Sequence, residues 1–143
     1  MKSSRYQVGR TFLCRAEYHS ELMKSILEFV REKEIKMAIF SVIGAVDDAT
    51  LGYYHPKKHE YKKIMLKRPL EIANAFGNIS LKDGQPFAHL HAVLSDAKGR
   101  TYAGHLVSAT VFAAEIHLLE LIGDTLEREH DQTTGLALWK FKE

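Results

Sequence analysis

The sequence predicts an α+β fold, with a mainly antiparallel sheet of about seven to nine strands and one principal helix. A single segment repeats apolar residues at helical spacing. Most of the remaining chain consists of short runs rich in β-branched and aromatic residues. Short turns join these runs without helices between them, and this favours antiparallel pairing over a repeating βαβ array.

The predicted helix runs from Ser20 to about Glu34. Its apolar residues recur three and four positions apart, and charged residues fill most of the positions between them. Ser20 is the expected N-cap. Glu21 in the first turn, and Arg31 and Lys33 in the last, have the charges that complement the helix dipole.

Nine segments have the composition of strands, separated by turn residues. They are Arg10–Glu17, Met37–Val46, Thr50–His55, Glu60–Leu66, Leu70–Leu81, Phe87–Ser95, Arg100–Val107, Val111–Ile122 and Leu136–Phe141. A short helical turn is predicted near Thr125–His130. No internal repeat or linker divides the chain, so we expect a single domain over residues 1–143.

Composition indicates an ordinary globular protein. A chain of 143 residues, 45% of them hydrophobic and 27% charged, can bury an apolar core without disulfides. Its single cysteine, Cys14, cannot form an intramolecular disulfide, and the N-terminus lacks the apolar segment of a signal peptide. No uncharged run approaches the length of a bilayer span. We therefore expect a cytoplasmic protein that has no membrane partner.

Two histidines share one face of the predicted strand Phe87–Ser95. Side chains alternate along a strand, so His89 and His91 lie on one side, while the apolar side that includes Leu90 faces the core. The two Cα atoms are about 7 Å apart, and both rings can converge on one ion. Neutral imidazole is a good ligand for zinc and other divalent transition metals. An H-x-H pair alone is also compatible with hydrogen-bonded surface or groove residues.

A third histidine joins this face if the following hairpin has the right register. A three-residue loop that ends with Gly99 in the left-handed conformation pairs Asp96 with Arg100. His105 then lies directly opposite His91, and their Cβ atoms are about 5 Å apart. The position of the glycine favours this loop.

A two-residue loop would instead place His105 opposite Leu90, facing the core. In the favoured register, Gly104 is expected to leave room beside His105. Three imidazoles with an open fourth position suit Zn²⁺ and are typical of a catalytic rather than a closed structural site. A cupin-type metal site is excluded, because no glutamate follows the H-x-H pair at the required distance.

Two glutamates are candidate partners of the histidines. Glu115 shares a strand face with His117, and Glu71 lies in the predicted strand Leu70–Leu81. Either carboxylate could be a fourth ligand, a general base, or a partner that orients an imidazole. For each glutamate taken separately, a solvated surface position is the stronger explanation, because a glutamate on a strand usually faces solvent.

A basic segment is a candidate nucleic-acid surface. Its cations are Lys57, Lys58, Lys62, Lys63, Lys67 and Arg68. Tyrosines accompany them, and this combination is typical of surfaces that bind nucleic acids. An edge strand protected by lysines has the same composition. The sequence has no Walker A, G-x-S-x-G, H-E-x-x-H or C-x-x-C motif, so no reaction can be assigned to it.

Six stretches carry a family resemblance over residues 5–141. They are Ile43-Gly44-Ala45-Val46, Leu51-Gly52-Tyr53-Tyr54, Pro69-Leu70-Glu71-Ile72, Gly77-Asn78-Ile79-Ser80, Pro86-Phe87-Ala88-His89-Leu90-His91 and Gly104-His105-Leu106. In this order they resemble the plants and prokaryotes conserved (PPC) domain. The resemblance implies a compact α+β fold, a mainly antiparallel sheet and a homotrimer.

The resemblance also bears on ligands and partners. Prokaryotic stand-alone members keep the H-x-H and Gly-His pieces, which implies a metal ion, zinc or another divalent transition metal, held by His89, His91 and His105. Plant members generally lack these histidines, so the metal is not what folds the domain. In plants the domain is attached to AT-hook motifs that enter the DNA minor groove, and this sequence contains no such motif.

The leading hypothesis is a cytoplasmic, homotrimeric, metal-binding protein of this family. One alternative is a DNA-associated regulator that uses the basic segment, with DNA or another protein as its partner. The other alternative is an uncharacterised metal-dependent enzyme.

Overall fold

The computed structural model describes residues 1–141, which form eight strands and one helix. The strands are β1 (Gln7–Arg15), β2 (Ala38–His55), β3 (Glu60–Leu66), β4 (Leu70–Lys82), β5 (Gln85–Ser95), β6 (Thr101–Ile122), β7 (Glu127–His130) and β8 (Ala137–Lys140). The helix is α1 (Leu22–Glu32). The predicted α+β class is confirmed. Within the described residues, no helix has the length and apolar character needed to cross a membrane.

The strands form one sheet that partly closes on itself. Hydrogen-bonded neighbours follow the order β3-β2-β6-β5-β4-β7-β8, and β1 pairs with β6. Because β2 also pairs with β4, the strands β2, β6, β5 and β4 form a closed circuit. Among residues 1–141, the pairing of β4 with β7 is parallel and the other pairings between strands are antiparallel. The β5–β6 hairpin, which carries the three histidines, is part of this circuit.

The helix is shorter than the predicted 20–34 and has a different N-cap. Glu21, not Ser20, caps it: the Glu21 carboxylate accepts hydrogen bonds from the backbone N–H of Met23 at 3.2 Å and of Lys24 at 2.7 Å. The same carboxylate accepts a bond from the N–H of Ala109 on β6 at 3.1 Å. The Ser20 hydroxyl instead donates to a preceding backbone carbonyl. A glutamate displaces serine here because its longer side chain bonds both the helix and the sheet.

Two pairs of predicted strands are continuous in the structure, which reduces nine predicted strands to seven, and the unpredicted strand β7 brings the number to eight. Met37–Val46 and Thr50–His55 lie in β2, while Arg100–Val107 and Val111–Ile122 lie in β6. The register between β2 and β6 shifts around Val46 and again after Thr50. Such bulges absorb extra or polar residues without ending a strand. Asp47 and Asp48 therefore lie within β2 instead of forming a turn.

The helical turn predicted near Thr125–His130 is wrong, because Glu127–His130 is the strand β7. It pairs in parallel with β4 at Leu81 and Lys82, and antiparallel with β8. Pairing with an available edge of β4 overrides the weak local preference of a short polar segment. The C-terminal hairpin β7–β8 thereby becomes part of the sheet.

The histidines lie on the outer face of β5, and its inner face lies in the core as predicted. The four residues predicted to face inward are at most 5% exposed: Ala88, Leu90, Ala92 and Leu94. Helix α1 packs Leu22, Ile26 and Val30 into the same core. On the outer face, His89 is half-buried and His91 is exposed. A close-packed core thus supports the strand that presents them.

Candidate metal centre

The turn between β5 and β6 has the predicted three-residue loop. The N–H of Asp96 donates to the carbonyl of Arg100 at 3.0 Å, and Gly99 has a φ of 74°. The Asp96 carboxylate accepts bonds from the N–H of Lys98 at 2.9 Å and from Nε of Arg100 at 2.8 Å. These bonds stabilise the loop and with it the register of the hairpin. The two-residue alternative is excluded.

This register brings three histidines together on one face. His91 pairs directly with His105, as predicted, and His89 precedes His91 on the same side of β5. The ring centroids are 5.0 Å apart for His89 and His91, 5.2 Å for His89 and His105, and 5.8 Å for His91 and His105. One nitrogen from each ring lies within 4.8 Å of the others. Three nitrogens this close together can converge on one ion, for which a Zn–N distance of about 2.0 Å is usual.

Burial keeps two of the three imidazoles unprotonated. The pKa of His89 falls from 6.5 to about 4, chiefly because the ring is desolvated and secondarily because of the positive charge of Arg128. Desolvation also lowers the pKa of His105, with smaller effects from His91 and Arg128. Both rings are therefore neutral at physiological pH, and the neutral form is the one that binds a metal ion.

An unsatisfied nitrogen lies in this cluster. Within residues 1–141, Nδ1 of His105 is buried and has no hydrogen-bond partner. A buried polar atom without a partner costs free energy, and a bound cation at such a lone pair removes that cost. Together with a donor set of three imidazoles, this atom makes the cluster a fit for zinc or another divalent transition metal.

Gly104 has a different role from the one expected. A Cβ at this position would lie 2.9 Å from the carbonyl oxygen of Gly52 and 3.7 Å from Cβ of Leu51, both on β2. Gly104 therefore permits the close approach of β2 and β6. The residue in register with His105 on β2 is Gly52, where an added Cβ would lie 3.1 Å from the Tyr61 ring, and that ring lies 5.7 Å from the His105 ring between centroids.

Neither candidate glutamate lies in the histidine cluster. Glu115 pairs with Ile43 and Arg15 on the far half of β6, and Glu71 pairs with Ser95 near one end of the β4–β5 ladder. Both side chains are exposed. In the part of the chain that the structure describes, the group of residues able to hold a metal contains histidines alone. The roles of the two glutamates stay predictions, without a contact inside one chain to support them.

The six basic residues are all exposed, but they do not share one surface. Lys62 pairs with Tyr53 and Lys63 pairs with Gly52, so the two lysines project from opposite faces of β3. Lys57 and Lys58 lie in the turn before β3, and Lys67 and Arg68 lie in the turn after it.

A buried arginine beside the histidines was not predicted. Arg128 on β7 is 9% exposed, and its guanidinium donates to Oγ of Ser80 at 2.9 Å, to Oδ1 of Asn78 at 3.0 Å and to the carbonyl of Ala137 at 3.0 Å. Asn78 is in register with His89 on β5, so these bonds hold Arg128 close to the cluster. The one sequence feature that indicated a polar partner here was the pair of polar residues Asn78 and Ser80, which share one face of β4.

Comparison with known proteins settles the family. The model of the Plants and Prokaryotes Conserved (PCC) domain matches residues 3–122. The chain belongs to this family. The resemblance inferred from the six sequence stretches is thereby confirmed.

Solved structures of similar proteins cover almost the entire chain. A metal-containing protein from Archaeoglobus fulgidus is 47% identical, with a TM-score of 0.95 over 99% of this chain and 100% of its own. A PPC protein from Pyrococcus horikoshii is 40% identical, with a TM-score of 0.94 over 100% of this chain and 99% of its own. A protein from Bacteroides thetaiotaomicron, provisionally described as DNA-binding, is 28% identical, with a TM-score of 0.86 over 95% and 97% of the two chains.

A curated relative of this PPC domain is much longer. The chain is 29% identical over 118 residues to the bifunctional protein GlmU of Synechococcus sp.. The match covers 80% of this chain but 18% of that protein, so the chain spans less than a fifth of its relative's length.

Proposed function

We propose that this chain is a metal-binding PPC protein in which His89, His91 and His105 hold a divalent transition metal, with zinc the preferred ion. The convergence of three imidazoles on the outer face of the β5–β6 hairpin carries the proposal. The metal-containing relative from Archaeoglobus fulgidus, 47% identical over 99% of the chain, supports it.

Three protein ligands leave a fourth position of a tetrahedral ion open, as in catalytic zinc sites. A zinc ion held there would act as a Lewis acid and would lower the pKa of a bound water. The chain's own contribution is to keep His89 and His105 unprotonated by burial and to fix His91 opposite His105 through the hairpin register.

The proposal includes a homotrimeric assembly in the cytoplasm as a single domain over residues 1–143. Family membership supports the trimer, and so do large apolar side chains that one chain leaves exposed, such as Phe76 at 57% and Phe112 at 56%. Light scattering on the purified protein tests it: a mass three times that of the chain is expected, and a monomer at micromolar concentration would contradict the assembly.

Metal content tests the site directly. The chain is purified without a polyhistidine tag after growth with zinc, and metal per chain is measured by mass spectrometry. Stoichiometric zinc is expected in the wild type, with little left after His89→Ala, His91→Ala and His105→Ala are combined. His117→Ala is the matched control, because His117 lies exposed on the same strand as His105 but outside the cluster. A metal-free wild type, or full occupancy in the triple variant, would overturn the proposal.

A second candidate function is DNA binding by the basic segment. The provisional description of the Bacteroides thetaiotaomicron relative favours it, and Lys57 and Lys58 lie exposed together in the turn before β3. Binding of a labelled duplex is measured against salt concentration in wild type, in Lys57→Glu/Lys58→Glu and in the control Lys24→Glu on the helix. Affinity that falls with salt and is lost in the double variant alone would support this function. No binding near physiological salt would exclude it.

A further inference from the structure

A cavity of about 400 Å³ opens beside the histidine cluster. His89 and His105 form part of its wall, and residues 135–138 of the C-terminal hairpin form another part. Gly52 lies in register between Lys63 on β3 and His105 on β6. A Cβ on Gly52 would lie 3.1 Å from the Tyr61 ring and 3.4 Å from Val107, so the glycine lets these two cavity-lining side chains pack closely over β2. The volume is that of a small-molecule site.

The cavity is positively charged. Lys63, Lys82 and Arg128 line it, and none of the lining residues described in residues 1–141 is acidic. The buried Arg128 guanidinium uses three of its five N–H groups on neutral acceptors. No carboxylate in the described part of the chain lies within ion-pair distance of it. A buried cation without a counter-charge costs free energy, and a bound anion would offset that cost.

The remaining wall is apolar and partly aromatic. Phe87, Val107 and Leu138 line the cavity together with Leu136. The Phe87 ring lies 5.3 Å from the Arg128 guanidinium carbon and 5.7 Å from Nζ of Lys82, measured to the ring centroid. A planar apolar surface therefore adjoins the cations directly, which suits a ligand that has both an anionic group and an apolar body.

We propose that this cavity binds a small organic anion with an apolar body. The anionic group lies among Lys63, Lys82 and Arg128, and the body lies against Phe87 and Val107. One feature of this inference rests on the proposed metal function, namely that the ligand would lie beside the open coordination position of the ion. The attraction of an anion to the cavity depends on the two lysines and the arginine and does not require the metal. A carboxylate and a phosphate ester share the required charge, so both are used as probes.

Calorimetry on the metal-stripped full chain tests the anion site. Benzoate and phenyl phosphate are the anionic probes, and benzyl alcohol is the neutral match. At least one of the two anions is expected to bind saturably, and benzyl alcohol is expected to bind far more weakly. The anion that binds more tightly shows whether the site prefers a carboxylate or a phosphate ester. Lys63→Ala and Lys82→Ala should each weaken that binding about tenfold, the effect of losing one charge-assisted contact. Lys62→Ala should leave it unchanged, because Lys62 projects from the opposite face of the same strand.

Zinc loading followed by the same titrations separates the two proposals. If the chain takes up no zinc when it is supplied but still binds an anion in a lysine-dependent way, the anion site stands and the metal proposal is overturned. Stoichiometric zinc without saturable binding of either anion would do the reverse. The anion site is also overturned if both lysine variants bind as the wild type does, or if benzyl alcohol binds as tightly as the anions. Circular dichroism on each variant confirms that a loss of binding is not a loss of folding.

Discussion

His91 lies directly opposite His105 across the β5–β6 hairpin, and their ring centroids are 5.8 Å apart. Five register pairs, from His91 with His105 to Ser95 with Thr101, connect this contact to the loop that closes the hairpin. The chemistry of the loop therefore sets the geometry of the cluster. Four predictions follow from the loop, the rings and the ion.

Gly99→Ala should destabilise the protein by about 1 kcal/mol, the usual cost of a left-handed conformation for a residue with a side chain. Gly99 has a φ of 74°, and no atom lies within 4 Å of an added Cβ, so strain without a clash is expected. Urea denaturation measures the change, and Lys98→Ala in the same loop is the control. Equal stability of the two variants would contradict the strained loop. Metal content should not change, because the ladder between the strands stays intact.

Asp96→Asn should make the free energy of unfolding depend less steeply on pH at acidic pH. The Arg100 guanidinium beside it holds the pKa of Asp96 at about 2, below its ordinary value of 3.8. Because the folded-state pKa is the lower one, its stabilisation is fully present above pH 4 and is lost as the pH falls from about 4 to about 2. Urea midpoints of wild type and variant should differ at pH 6 and converge near pH 2. Parallel profiles would show that the carboxylate does not stabilise the loop.

The metal-stripped protein should lose stability between pH 6.5 and about 4 because of His89. Its pKa falls from 6.5 to about 4 on folding, so the unfolded chain takes up a proton first and gains stability as the pH drops through this window. His89→Ala should reduce the slope of stability against pH, whereas His117→Ala should not. The measurement is thermal unfolding in the presence of a chelator. A slope unchanged in His89→Ala would show that this ring is not buried in the neutral form.

Zinc should raise the unfolding temperature of the wild type and leave that of the triple histidine variant unchanged. An ion that binds the folded chain alone adds about 2.7 kcal/mol at one hundred times its dissociation constant. Calorimetric scans with and without zinc measure the shift. The chelated wild type should still unfold cooperatively, since its core is built from apolar residues away from the cluster. If the chain is unfolded without metal, the ion is required for folding, and the expectation that the domain folds without it is wrong.

The histidine cluster could be predicted from the sequence because it depends on local rules. Strand alternation places His89 with His91, and the position of Gly99 sets the register that adds His105. Strand alternation also implies that the adjacent Lys62 and Lys63 project from opposite faces. The prediction of one basic surface rested on composition, which does not distinguish the two faces of a strand.

Arg128 could not be predicted, because its place depends on contacts between segments far apart in the chain. It reaches the histidines through parallel pairing of β7 with β4, and its bonds to Asn78 and Ser80 span 50 and 48 residues. Local propensity in a short polar segment carries no information about such a pairing. The same reason explains why Glu21 replaced Ser20 as the N-cap, since its bond to Ala109 joins residues 88 positions apart.

The parallel ladder between β7 and β4 contains two register pairs, whereas β4 and β5 share eleven. Backbone amides of the C-terminal hairpin should therefore exchange with deuterium sooner than those of β5. One side of the cavity thus belongs to the segment with the shorter ladder, while the histidines lie on the β5–β6 hairpin. A ligand could enter and leave by brief local opening at this side, so the rate of ligand exchange and the rate of amide exchange in residues 127–140 should rise together.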